Sequence, residues 1–94
     1  MPDTARTIER ILRQRFDPTH LDIVDDSAKH VGHRGATSGG GHYRVTIVTR
    51  AFENKDRLDR HRMVHEALGD MIGGEIHALG LVTRTPSEWT PTDG

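Results

Sequence analysis

The 94-residue chain contains no cysteine. That absence excludes disulfides, a thiol nucleophile and any zinc or iron–sulfur site built on the chain's own thiolates. A thiolate at a metal centre has to come from a partner. Net charge is almost missing as well: 13 basic residues stand against 14 acidic ones, so no global field draws the chain to nucleic acid or to a membrane surface. The apolar runs are only a few residues long, far short of the roughly 20 residues a bilayer-spanning helix requires. A soluble, cytoplasmic protein is expected. Aromatic side chains are scarce, and Trp89 is read together with Pro86 as an anchor for the last segment, because aromatics in so small a chain serve packing. Length excludes something too. A chain of this size hides roughly 60 to 70% of its unfolded surface, enough for one domain but not for a deep enclosed substrate cavity. The expected domain spans residues 1–94, with its core at about 4–89 and a flexible tail at 90–94.

What the chain does have is histidine, seven in all. With ordinary pKa values near 6.5, these residues turn the net charge positive in mild acid, and they are the best metal ligands present.

Apolar periodicity supplies the elements. Ala5, Ile8, Ile11, Leu12 and Phe16 form a helical stripe, with Arg6, Glu9, Arg10 and Arg13 outside it and Asp3 placed to cap it. The arginine-rich start resembles a transit peptide, but Asp3 and Glu9 interrupt that pattern, so it is read as a helix of the mature domain. Asp17 and Pro18 end it. His20 to Asp25 alternates as a short strand; Asp26 to Gly41 is a long loop holding five of the ten glycines. Tyr43, Val45, Ile47 and Thr49 alternate with Arg44, Thr46 and Val48 as a second strand, hairpin-paired with the first. After a short turn or helix between Phe52 and Arg57, a second amphipathic helix starts at Leu58. Its buried stripe is Val64, Ala67, Leu68, Met71 and Ile72, its wet face Asp59, Arg62, Glu66 and Asp70, and its stop Gly73 and Gly74. Ile76 to Thr83 is a third strand, closed by Pro86. The class is α+β.

Neither catalysis nor a basic stripe emerges from this pattern. Asp25 and Asp26 are adjacent and point to opposite faces of a strand, with no nucleophile or pocket signature beside them, so no enzyme is expected. Arg60 and Arg62 diverge by about 200° around a helix. His61, between them, shares a face with Val64 and Leu68 and is expected to be half-buried and hydrogen-bonded, with the arginines at the rim.

Four segments, in order and at matching spacing, resemble BolA-like proteins over about Ile8 to Trp89: DDSAKH at Asp25–His30, GHYRVTIV at Gly41–Val48, F-x-x-K-x-R-L-x-R-H-R-M-V at Phe52–Val64, and IHALGLVTRTPSEW at Ile76–Trp89. The resemblance implies an αββααβ fold like a class II KH domain, with a three-stranded sheet packed against helices. It also implies association with a monothiol glutaredoxin in iron–sulfur cluster assembly and trafficking or iron regulation. By the same resemblance His77 matches the family's C-terminal metal-ligating histidine, and His30 matches the His or Cys of the variable loop. The chain departs from the family pattern in a glycine-rich insertion in that loop and in His33, a substitute for His30. With nitrogen ligands only, the chain would share a 2Fe-2S cluster with a glutaredoxin cysteine and a glutathione thiol, and hold none alone; replacing thiolate with histidine raises a cluster's potential. Free, it would be a monomer or weak homodimer. A partner-free zinc site from His30, His33, His77 and water is the weaker option, since nothing in the loop signals preformed geometry.

The alternative is nucleic-acid binding with Lys55, Arg57, Arg60, Arg62 and Arg84 on phosphates; the resemblance to BolA-like proteins implies for it a DNA-binding regulator of stress response and cell morphology. Single-strand clamping of the KH kind is not expected. The G-x-x-G at Gly32 to Gly35 lies in the first hairpin loop, and Glu53 to Asp56, before the second helix, has no glycine.

Overall fold

The computed structural model describes residues 4–26 and 41–89. Helix α1 spans Thr4–Phe16. Its Ile8, Leu12 and Phe16, spaced by four, are all buried, and Ala5 and Ile11 pack beside them. The helix ends where Asp17 turns to φ 47° and donates its N–H to the Arg13 carbonyl at 3.1 Å, a left-handed cap that Asp tolerates better than most residues. Pro18 then bars continuation. Asp3, the expected cap at the other end, lies outside the described residues.

Strands β1 (His20–Asp25), β2 (Gly41–Val48) and β3 (Ile76–Arg84) form one sheet in the order β1-β2-β3. β1 and β2 are the expected antiparallel pair, with Leu21 opposite Ile47 and Ile23 opposite Val45. β3 runs parallel to β2, which requires a long crossover; helix α2 (Arg57–Leu68) supplies it. Tyr43, Val45 and Ile47 meet Ile8, Leu12, Val64 and Leu68 in one core, so both helices cover the same face. The fold is α+β, a mixed three-stranded sheet under two helices.

Thr49 ties these layers together. Buried, it donates its hydroxyl to the Phe16 carbonyl at 2.7 Å, at the end of α1. The same oxygen accepts the Ala51 N–H at 3.1 Å and so caps a 3-10 turn, Arg50–Phe52. That turn occupies the place of the expected short element and drives Phe52 fully into the core, 5.5 Å from the Phe16 ring.

Two expectations for the second helix are corrected. The α-helix ends at Leu68, five residues before Gly73, because Gly69 takes φ 54° and ψ −123°, a backbone few residues without glycine's freedom adopt. A 3-10 turn, Gly69–Met71, carries the winding on, which is why Met71 is still buried. Gly73, at φ 89°, makes the turn into β3. Leu58 is 58% exposed and starts no buried stripe; six residues before Val64, it lies about 120° around the helix from it.

Candidate metal centre

β3 opens with an irregularity. Gly41 pairs with Ile76, but the next residue of β2, His42, pairs with Ala78, and His77 is skipped. One extra residue reverses the strand's alternation: Ile76 is buried, Leu79, Leu81 and Thr83 also turn to the core, and His77 and Ala78 are both exposed. A bulge of this kind re-aims a side chain without losing the strand. It holds the His77 ring at the surface, stacked on that of His42 with centroids 5.3 Å apart and planes 29° from parallel. The His77 nitrogens make no hydrogen bond to any described residue.

Asp26 and Gly41 are fastened at the same place. The Asp26 N–H donates to the His42 carbonyl at 2.7 Å, and the Gly41 N–H donates to the Glu75 carbonyl at 2.8 Å. Arg44 Nε donates to Asp26 Oδ2 at 2.7 Å, while its aliphatic stem lies over Gly80, where a β-carbon would meet Arg44 Cγ at 3.4 Å. Asp26, His42, Arg44, Leu79 and Gly80 thereby line a shallow cleft of about 360 Å³. His30 and His33, the expected loop ligands, lie outside the described residues; the described residues on either side of them, Asp26 and Gly41, are fastened beside the His42–His77 pair. Among the described residues no group of three or more His, Asp or Glu could hold a metal, so His77 is a single available ligand with one imidazole neighbour.

The basic residues divide differently from their expected grouping. Lys55, Arg57, Arg62 and Arg84 are exposed. Arg60 is not: its side chain is 12% exposed, and its guanidinium is committed to the Glu88 carboxylate at 2.7 and 3.2 Å, the Lys55 carbonyl at 2.9 Å and the Thr83 carbonyl at 3.3 Å. It also lies over the Phe52 ring. Arg84 donates to the same Thr83 carbonyl at 2.9 Å. Glu88 reaches back to accept the Thr85 N–H at 2.8 Å, one half of a capping box, while its own N–H closes the turn on the Thr85 carbonyl at 3.0 Å. The Arg60 hydrogen bond, then the Thr85 N–H, hold the Glu88 carboxyl down at about 2. Trp89 stacks on His20 at 4.9 Å, the anchoring role expected of it. His61 is half-buried as expected, but its ring has no hydrogen bond among the described residues; desolvation, then Arg57 and His65, lower its pKa.

Sequence reasoning places His42 at the strand edge, with the option of approaching the surface of the expected ligands, and misses Glu88 altogether. The T-x-x-E pattern was a readable signal for Glu88. The stacking of His42 on His77 depends on a parallel pairing between distant strands, which no local pattern shows.

The sequence model of BolA-like proteins matches residues 12–88. A BolA-like protein of Dictyostelium discoideum is 37% identical over 83 residues, which cover 87% of this chain and 70% of that protein. Mouse BolA-like protein 1 is 37% identical over 83% of this chain, which spans only 55% of that relative's length. The solved structure of BolA1 from Arabidopsis thaliana superposes with a TM-score of 0.82 at 32% identity, covering 96% of this chain and 99% of that one.

Proposed function

The chain belongs to the BolA-like protein family, and from that premise we propose that it is an adaptor that joins a monothiol glutaredoxin around a shared 2Fe-2S cluster. Its role is to deliver the cluster or to regulate iron, without chemical turnover. The observation that carries this reading is the bulged His77: an exposed imidazole with no hydrogen bond among the described residues, beside both ends of a loop that contains two more histidines. His77 and His30, with His33 as substitute, are the proposed ligands from this chain. Such a donor set fits a shared cluster and not a self-contained one, because the chain has no thiolate and an iron–sulfur cluster takes four protein-side ligands. The partner's cysteine and glutathione supply the sulfur.

The DNA-binding reading is the less supported. Arg60 is tied to Glu88, which leaves Lys55, Arg57, Arg62 and Arg84 without their central member and places a carboxylate among them. Salt-dependent binding that weakens on replacing Arg57 and Arg62 would restore it.

The test is anaerobic reconstitution of iron and sulfide with a monothiol glutaredoxin and glutathione, with and without this chain. Visible circular dichroism and size-exclusion chromatography are the readouts. The expected result is a new spectrum travelling with a one-to-one complex and altered by His77→Ala. No complex and no spectral change would remove the proposal.

A further inference from the structure

The two edges of the sheet are left in different states. Along β2 the backbone groups divide by parity: the even residues His42 and Val48 accept from Asp26 and Thr19 on the β1 side, while the odd residues Gly41 and Thr49 donate to Glu75 and Arg84 on the β3 side. With Leu21 opposite Ile47 and Ile23 opposite Val45, the antiparallel alternation turns the N–H and C=O of Leu21 and Ile23 away from β2. These four groups have no hydrogen-bond partner among the described residues. The outer edge of β3 is instead occupied at both ends. The Gly73 N–H donates to the Ile76 carbonyl at 2.8 Å, and Arg60 and Arg84 donate to the Thr83 carbonyl. Side chains repeat the difference: Leu21 and Ile23 stay half-buried, whereas Ile47 and Val45 opposite them are buried. The core is open along β1. A shallow cleft of about 230 Å³ lies there between α1 and β1, lined by Ala5, Arg6, Glu9, Leu21, Asp22 and Ile23.

We propose that the β1 edge takes up an extended segment of a partner protein as a fourth strand, antiparallel to β1, in which apolar side chains alternate with lysine or arginine. Backbone pairing to Leu21 and Ile23 supplies the affinity, as in strand addition at other sheet edges, and the antiparallel ladder is the slightly more stable one. The alternation follows from the pleat. On the helix side, residues of the added strand lie beside Leu21 and Ile23 over the cleft and are apolar. On the open side, the residue beside Asp22 is basic, because the Asp22 side chain is exposed and makes no ion pair among the described residues. Opposite charges across neighbouring strands stabilise the pairing and like charges oppose it. β1 carries Asp22 and Asp25 and neither lysine nor arginine, so a second copy of β1 brings acid toward acid and is the poorer occupant. Neither His77 nor a cluster takes part.

The test combines the full chain with a synthetic peptide, acetyl-Val-Lys-Val-Lys-Val-amide, and follows amide resonances and hydrogen exchange by nuclear magnetic resonance. Millimolar peptide should shift the Leu21 and Ile23 amides and slow their exchange, leaving those of β3 as they were. N-methylation of the peptide at its valines, whose N–H groups face β1, should abolish binding, whereas N-methylation at its lysines, which face away, should be tolerated. Asp22→Lys alters an exposed side chain and should weaken the lysine peptide about fivefold, while strengthening the counterpart acetyl-Val-Glu-Val-Glu-Val-amide by a similar factor, the size of one cross-strand charge pair. No protection at millimolar peptide, equal affinity for the lysine and glutamate peptides, or binding that survives N-methylation at the valines would each overturn the proposal. Protection of the same amides that grows with protein concentration in the absence of peptide would also overturn it, with a second copy of the chain as the occupant.

Discussion

The two ends of β3 treat their polar side chains in opposite ways. At its start the bulge pushes His77 out and leaves its nitrogens without a protein partner among the described residues. At its end Arg60, from α2, is drawn in against Phe52 and satisfied by a carboxylate and two carbonyls. By sequence His77 sits between Ile76 and Ala78 and Arg60 between Asp59 and His61, and neither setting shows which side chain finds partners. The difference teaches that a polar residue becomes available for chemistry when the backbone withholds partners from it, and becomes structural when neighbouring elements supply them. Buried polar groups are costly to leave unpaired, so a guanidinium held so closely belongs to the fold.

The comparison breaks most readily at Arg60. Arg60→Ala should cost about 2 kcal/mol, roughly 10 °C in Tm, since it removes hydrogen bonds to a charged group and packing over a ring together; a loss too small to detect in thermal unfolding would make Arg60 a surface cation after all. Gly69→Ala should cost about 1 kcal/mol by denaturant titration, because φ 54° is strained for alanine. An unaffected midpoint there would mean that α2 runs on to Gly73 in solution. Acid should sharpen the contrast. The Glu88 carboxyl is lowered from 4.5 to about 2, so the stability it contributes is whole above pH 4.5 and drains away as pH falls toward 2. Thermal unfolding across that window should show a steeper loss in the unaltered chain than in Glu88→Gln; parallel curves would deny the latch. The smallest effect on stability belongs to the other end. His77→Ala should unfold within about 0.5 kcal/mol of the unaltered chain, while changing the visible spectrum of the reconstituted complex.

Much of the fold is legible in the residues. Ile8, Leu12 and Phe16 recur every four positions and are the buried face of α1. Tyr43, Val45 and Ile47 alternate and are the inner face of β2. The second helix is legible in its buried face and not in its length, because Gly69 breaks the α-helix while a 3-10 turn preserves the stripe to Met71. At the candidate site, the family resemblance puts His77 forward as a ligand, but its exposure is not legible: ordinary alternation gives no sign of a bulge that frees it. Arg60 looks like a phosphate contact because its partner Glu88 lies 28 residues away.

The sequence by itself determined which elements form and which chemistry is shut out. Local periodicity and the lack of cysteine act residue by residue, and no tertiary arrangement changes them. Only the tertiary structure decided that His42 stands beside His77 and that Arg60 stands against Glu88. Both pairings cross elements distant in the chain, and their register is set by the parallel ladder, its bulge and the path of the last turn, none of which a local pattern encodes.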